Sequence, residues 1–152
     1  MSAFRAEHIE RSHHFVVERP AGRAFELFTP EGERAWADGW DPTYLHPADG
    51  TPQRGMVFTT GHGGEHTLWT MTRYEPQAGL VEYQRITPGS RMGSVLVQCT
   101  SLGASRTRVT VAYALTALTE DGNRVLRGMD DAKFQAFIED WERAIAGIKP
   151  AA

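Results

Sequence analysis

The chain has 152 residues, 41% of them hydrophobic and 23% charged, with a net charge of -3. That length fits one domain over 1–152, able to bury its own core. The sixteen Lys and Arg residues are scattered without a basic run, which excludes an electrostatic case for nucleic acid, and no apolar stretch approaches the ~20 residues of a membrane span.

The single cysteine, Cys99, excludes an internal disulfide. Together with an N-terminal stretch that lacks an apolar signal core, it fits a reducing cytoplasm.

From Ile9 to Arg19 the residues alternate as in a strand, with Phe15 and Val17 on one face. Pro20 ends it and suits the first turn of a helix over 21–28. Thr29-Pro30 breaks that helix and starts a second over 31–37, which carries Trp36 inward. The stretch 38–47 is rich in Gly and Pro and is expected to be irregular. Its Trp40, Tyr44 and Leu45 are apolar enough to pack down on something. Residues 48–54 read as a polar turn.

From Gly55 the period changes to two. The segments 56–60, 67–74, 80–86, 94–102 and 106–118 are rich in Val, Thr, Tyr and Trp, and short turns join them. Short connections make such strands antiparallel neighbours. The last is the clearest: Val109, Val111, Tyr113 and Leu115 share one face, while Arg108, Thr110, Ala112 and Thr116 share the other.

Thr119 followed by two acids opens the final helical segment. Gly128 is expected to kink it before a long run from Met129, and Pro150 to mark its end. Phe134, Ile138, Trp141, Ile145 and Ile148 fall at steps of four and three, the spacing of one helix face. Phe137 and Ala144 widen the stripe. Burying each large apolar side chain is worth roughly 1.5–3 kcal/mol, so the sheet must cover this helix.

The order is strand, two short helices, a run of antiparallel strands and a long C-terminal helix. In this order, and in Phe15 to Pro20 leading into Ala24 to Thr29, Trp36 to Pro42, and Tyr113 to Gly122, the chain resembles the START-like superfamily. That superfamily is also called SRPBCC or helix-grip, and the polyketide-cyclase and pollen-allergen groups belong to it. The resemblance implies an α+β helix-grip fold. A curved antiparallel sheet of six to seven strands would grip the C-terminal helix, with a cavity between them.

Such a cavity would hold a small hydrophobic or amphipathic molecule, lipids included. Its expected lining or packing residues are Trp36, Trp40, Phe58, Trp69, Met71, Tyr83, Arg85, Tyr113, Met129, Phe134, Phe137 and Trp141. Aromatic walls with a few hydroxyls suit such a pocket; the same residues serve equally to fill a solid core. Arg85 shares the Tyr83 face and is suited to an anionic head group, or to a carboxylate at the rim.

Catalytic signals are thin. No nucleophile elbow, dinucleotide fingerprint or P-loop is present, and no cofactor is expected. Asp38 and Asp41 flank Trp40 as a conceivable acid–base pair, although their Gly and Pro neighbours favour turn roles. His62-Gly63-Gly64-Glu65-His66 matches the letters of a zinc motif that requires a helix. Two glycines between strands make it a hairpin tip instead, so no metal is expected there even with His46 as a third ligand.

The resemblance also carries two rivals. One is a polyketide cyclase or dehydratase, which needs two titratable groups converging in the cavity. The other is a chaperone ATPase-activator-like interaction module, with a filled core and an exposed apolar patch. A homodimer through the outer sheet face, where Ala112 and Ala114 are small, is a further expectation.

Overall fold

The computed structural model describes residues 3–148. Seven strands form one antiparallel sheet. They are β1 (His8–Val17), β2 (Thr43–His46), β3 (Val57–His62), β4 (Glu65–Glu75), β5 (Leu80–Thr87), β6 (Arg91–Gly103) and β7 (Arg106–Ala117). Their spatial order is β1-β7-β6-β5-β4-β3-β2, so every pair except β1–β7 is consecutive in the chain. The curved sheet and long C-terminal helix are the helix-grip arrangement that the resemblance implied.

Between β1 and β2 lie the two short helices, α1 (Ala21–Glu26) and α2 (Pro30–Glu33). Thr29 caps α2 by accepting a hydrogen bond from the Gly32 amide at 3.1 Å, with Pro30 at the first helical position where its missing N–H costs nothing. The chain then turns as far as Ala37 without continuing the helix expected to that point.

The stretch 38–47 is not wholly irregular. Thr43–His46 pairs with β3 as a short edge strand. Pro42 and Pro47 bracket these four residues and interrupt none of their backbone donors, and an edge position needs only one bonded side.

The C-terminal segment is two helices rather than one kinked one. α3 runs Glu120–Arg127 and ends at Gly128; α4 runs Asp131–Ala146. Asp130 opens α4 by accepting from the Lys133 amide at 2.8 Å. Gly147 caps its end, and Pro150 lies outside the described residues. Val125 is consequently not part of the buried stripe and is exposed.

On α4, Phe134, Ile138 and Ile145 are buried, while Trp141 and Ile148 are partly covered. They face the concave side of the sheet, where β1 contributes Phe15 and Val17, and β7 contributes Val109, Val111, Tyr113 and Leu115. This is the alternation read from the sequence. The alternate residues of these strands look outward, including Ala112 and Ala114, which border a shallow groove on the convex face. Among the described residues no helix is long and apolar enough to cross a membrane.

Candidate functional site

The inward positions of the middle strands do not all meet α4. Val81, Met71 and Phe58 are sealed in the core. Further along the same strands the sheet and helix diverge around a cavity of about 570 Å³. Its floor is Thr60 of β3, Thr67 and Trp69 of β4, Tyr83 and Arg85 of β5, Val95 and Val97 of β6, and Tyr113 of β7. Phe137, Asp140, Trp141 and Ala144 of α4 form the roof. The mouth is made by Glu33, Trp36, Asp38, Gly39 and Trp40, with His62 of the β3–β4 hairpin opposite.

Gly39 is needed at this mouth twice over. Its φ of 73° is left-handed, and a Cβ there would lie 2.6 Å from His62 Nδ1.

The aromatic polar handles are mostly tied back to the protein. Trp36 Nε1 donates to the Leu27 carbonyl at 2.8 Å, and Trp40 Nε1 to that of Pro30 at 2.8 Å. Trp69 Nε1 donates to Thr60 Oγ1 at 3.0 Å, and Tyr83 Oη to the Phe28 carbonyl at 2.6 Å. With their N–H and O–H groups satisfied, these rings offer the cavity apolar surface. Ring packing fixes them: Trp69 lies flat on Phe58 at 5.7 Å, and Trp141 packs on Trp36 at 5.2 Å and Phe137 at 5.6 Å.

Among the polar groups that line the cavity without full protein partners are the Glu33 carboxyl, the Tyr113 hydroxyl and the guanidinium groups of Arg85 and Arg91. Glu33 closes α2 three residues before Trp36, and the protein packed around its carboxyl raises its pKa well above the usual carboxylate range. Burial likewise raises the Tyr113 phenol; the Arg85 charge pulls it back and the Glu33 charge pushes it further up. The Tyr113 hydroxyl therefore feels both groups. Burial lowers the Arg85 pKa, and the Arg91 charge adds to this. Arg91 itself is held by both oxygens of Glu65, at 2.9 and 3.0 Å, and its hydrogen bonds lower the Glu65 pKa.

Of the residues expected around the cavity, Trp36, Trp40, Trp69, Tyr83, Arg85, Tyr113, Phe137 and Trp141 line it. Phe58, Met71, Phe134 and Met129 do not. Phe58 is covered by Trp69, Met71 sits buried at the β4 bulge, and Phe134 packs edge-on behind Tyr113 at 5.3 Å. Met129 lies in the α3–α4 break, where its carbonyl accepts from Arg11 Nε at 3.1 Å.

The Asp38–Asp41 pair is not formed. Asp38 lines the mouth, but Asp41 is exposed and bound to Arg34 Nη1 at 2.7 Å. His62 to His66 is a hairpin tip, with Gly63 and Gly64 both at positive φ. Among the described residues His46, His62 and His66 form no metal-holding group. Cys99 is buried outside the cavity, its thiol pushed up to about 12 by desolvation.

Glu33 was not singled out from the sequence. The available signal was its step of three from the inward Trp36, which places both on one helical face. Thr67 shares its strand face with Trp69 and was legible in the same way.

No family model matches the chain, and no curated protein matches it. Solved structures do. Norcoclaurine synthase from Thalictrum flavum, in complex with dopamine and hydroxybenzaldehyde, is 11% identical with a TM-score of 0.66, over 96% of this chain and 91% of that one. The Zhui aromatase/cyclase from a Streptomyces species is 16% identical with a TM-score of 0.62, over 93% of this chain and 94% of that one. The major latex-like protein 151 from Panax ginseng is 13% identical with a TM-score of 0.66, over 94% and 99%. At these identities the likeness is one of fold: the chain has the helix-grip fold.

Proposed function

We propose that this helix-grip protein binds a small, flat, largely apolar molecule in the cavity between its sheet and α4. The observation that carries the reading is a cavity of about 570 Å³ walled by aromatic rings whose N–H and O–H groups are already satisfied by the protein. Small-molecule sites run from about 300 to 1,000 Å³ and are mostly apolar with a few placed polar groups. The fold neighbour solved with dopamine and hydroxybenzaldehyde holds small ring compounds, which agrees with this reading. An interaction module would need a filled interior, and the open cavity weighs against it.

The test is fluorescence titration with the neutral aromatic probe N-phenylnaphthylamine. The purified protein binds it, and Ala144→Phe, which puts a ring into the roof, weakens binding by about tenfold or more while the protein still melts cooperatively. Equal binding by both proteins would place the probe elsewhere and remove the reading.

A second reading is favoured by one specific observation: two titratable groups, Glu33 and Tyr113, line the same cavity, and the Tyr113 hydroxyl feels the Glu33 charge. A carboxyl held protonated above the usual carboxylate range by its burial is suited to general acid–base work. On this reading the cavity transfers a proton to or from its occupant, as a cyclase or dehydratase does, with Glu33 as the acid–base group and Tyr113 as a hydrogen-bond donor.

A further inference from the structure

We propose that the end of the cavity at Arg85 is an organic-anion subsite, so that the occupant is a flat aromatic acid whose carboxylate or sulfonate-like group lies against Arg85. The inference rests on the cavity being a binding site and adds the chemistry of what fills it.

The argument is a count of charge and hydrogen bonds. Arg85 is only 9% exposed. Among the described residues no carboxylate lies within ion-pair distance of it. Its Nη2 donates to Thr87 Oγ1 at 2.6 Å, its Nε is buried with no partner, and its guanidinium carbon sits 5.3 Å from the centre of the Trp69 ring. The ring face supplies some negative potential but no countercharge. A buried charge without a partner is costly, and guanidinium is not relieved by losing its proton in the ordinary pH range.

Neighbouring groups do not supply the missing negative charge. Glu65 is the nearest candidate, and both of its oxygens are taken by Arg91, leaving that pair neutral. Tyr113 stays a neutral phenol because burial raises its pKa. Arg91 adds a second buried, unpartnered Nε to the same end of the cavity.

The hydroxyls point the same way. Thr67 and Thr87 share a hydrogen bond of 2.7 Å, and Thr87 also accepts from Arg85. One hydroxyl proton lies between the two threonines, and when Thr87 supplies it the Thr67 proton is free to donate into the cavity. Thr67 lines the cavity beside Arg85. The Arg85 end thus offers donors and one net positive charge, while its carboxylate acceptors are already used. That is the complement of an anionic oxygen. At the mouth Asp38 is acidic, which favours the neutral end of the occupant there and its anionic group at Arg85.

Two probes with the same ring body separate this claim from the binding reading. Anilinonaphthalenesulfonate carries an acid group that N-phenylnaphthylamine lacks. The protein is expected to bind the sulfonate at least about tenfold more tightly, the scale of a hydrogen-bonded contact to a charge. Arg85→Gln brings the ratio of the two affinities toward one. Thr67→Val, which removes a donor without touching the charge, lowers the ratio by a smaller factor and stands as the deciding variant if Arg85→Gln does not fold.

A protein that binds the neutral probe with no preference for the sulfonate overturns the anion subsite and leaves the binding reading intact. Sulfonate preference that persists in both variants, or sulfonate binding insensitive to Ala144→Phe, also overturns it. Failure to bind either probe removes both claims.

Discussion

Glu33 and Arg85 give an otherwise aromatic cavity its chemical direction, and each owes its state to desolvation. Because the folded pKa of Glu33 lies well above its ordinary value of 4.5, the native protein holds a proton that the unfolded chain releases. Stability from this group is complete below the unfolded value and falls as pH rises toward the folded one. Glu33→Gln removes the titration. Urea midpoints of the two proteins should therefore separate progressively above about pH 4.5, the Gln variant gaining relative to the parent. Parallel profiles would mean that Glu33 is not held protonated, and the proton-transfer reading would fail with it.

The lining was partly legible at this scale. Strand alternation tells which face a side chain takes. It does not tell how far along the strand α4 stops touching the sheet. Met71 and Trp69 share a face of β4, yet one is core and the other cavity wall. Val81 and Tyr83 divide in the same way on β5. Glu33 escaped because an acid near a helix start reads first as a dipole partner.

Elements were easier to read than sites, because period, caps and turn residues are local. The alternation of β7, the cap at Thr119 and the two-glycine hairpin were all plain in the chain. β2 and the α3–α4 break were misjudged, one for want of a tertiary partner and the other for an overlooked local cap. β2 exists because β3 offers it an edge. The α3–α4 break exists because Asp130 supplies a new cap just after Gly128.

That break makes a local prediction. Asp130→Ala should cost about 0.5–2 kcal/mol, the usual value of a lost helix cap. Its neighbour Asp131 is almost fully exposed, 3.4 Å from Arg11 Nε, and Asp131→Ala should cost no more than about 1 kcal/mol, as exposed ion pairs do. Chemical denaturation distinguishes them. Equal costs would mean that α4 does not begin at Asp130.

For the molecule as a whole, one sheet serves two purposes with one pattern. Where α4 lies close, through Phe134, Ile138 and Ile145, the inward residues make a solid core. Where the helix stands off, over Phe137, Trp141 and Ala144, the same pattern makes walls. The core fixes the helix, and the helix in turn fixes the height of the cavity roof. The fold was legible through the family resemblance, which the element order and the stretches Phe15 to Pro20, Ala24 to Thr29 and Tyr113 to Gly122 carried. The empty volume was not, because it depends on the divergence of helix and sheet rather than on any residue's hydrophobicity.

The central claim, that a small aromatic molecule occupies this volume, is tested most directly by methyl NMR of the valines during titration with N-phenylnaphthylamine. Val95 and Val97 line the cavity, while Val125 is exposed on α3 and Val16 faces away from it on β1. Large saturable shifts at Val95 and Val97, with Val16 and Val125 unmoved, are the predicted result. Shifts confined to Val16, Val125 or other surface methyls, with Val95 and Val97 unchanged at saturation, would contradict it.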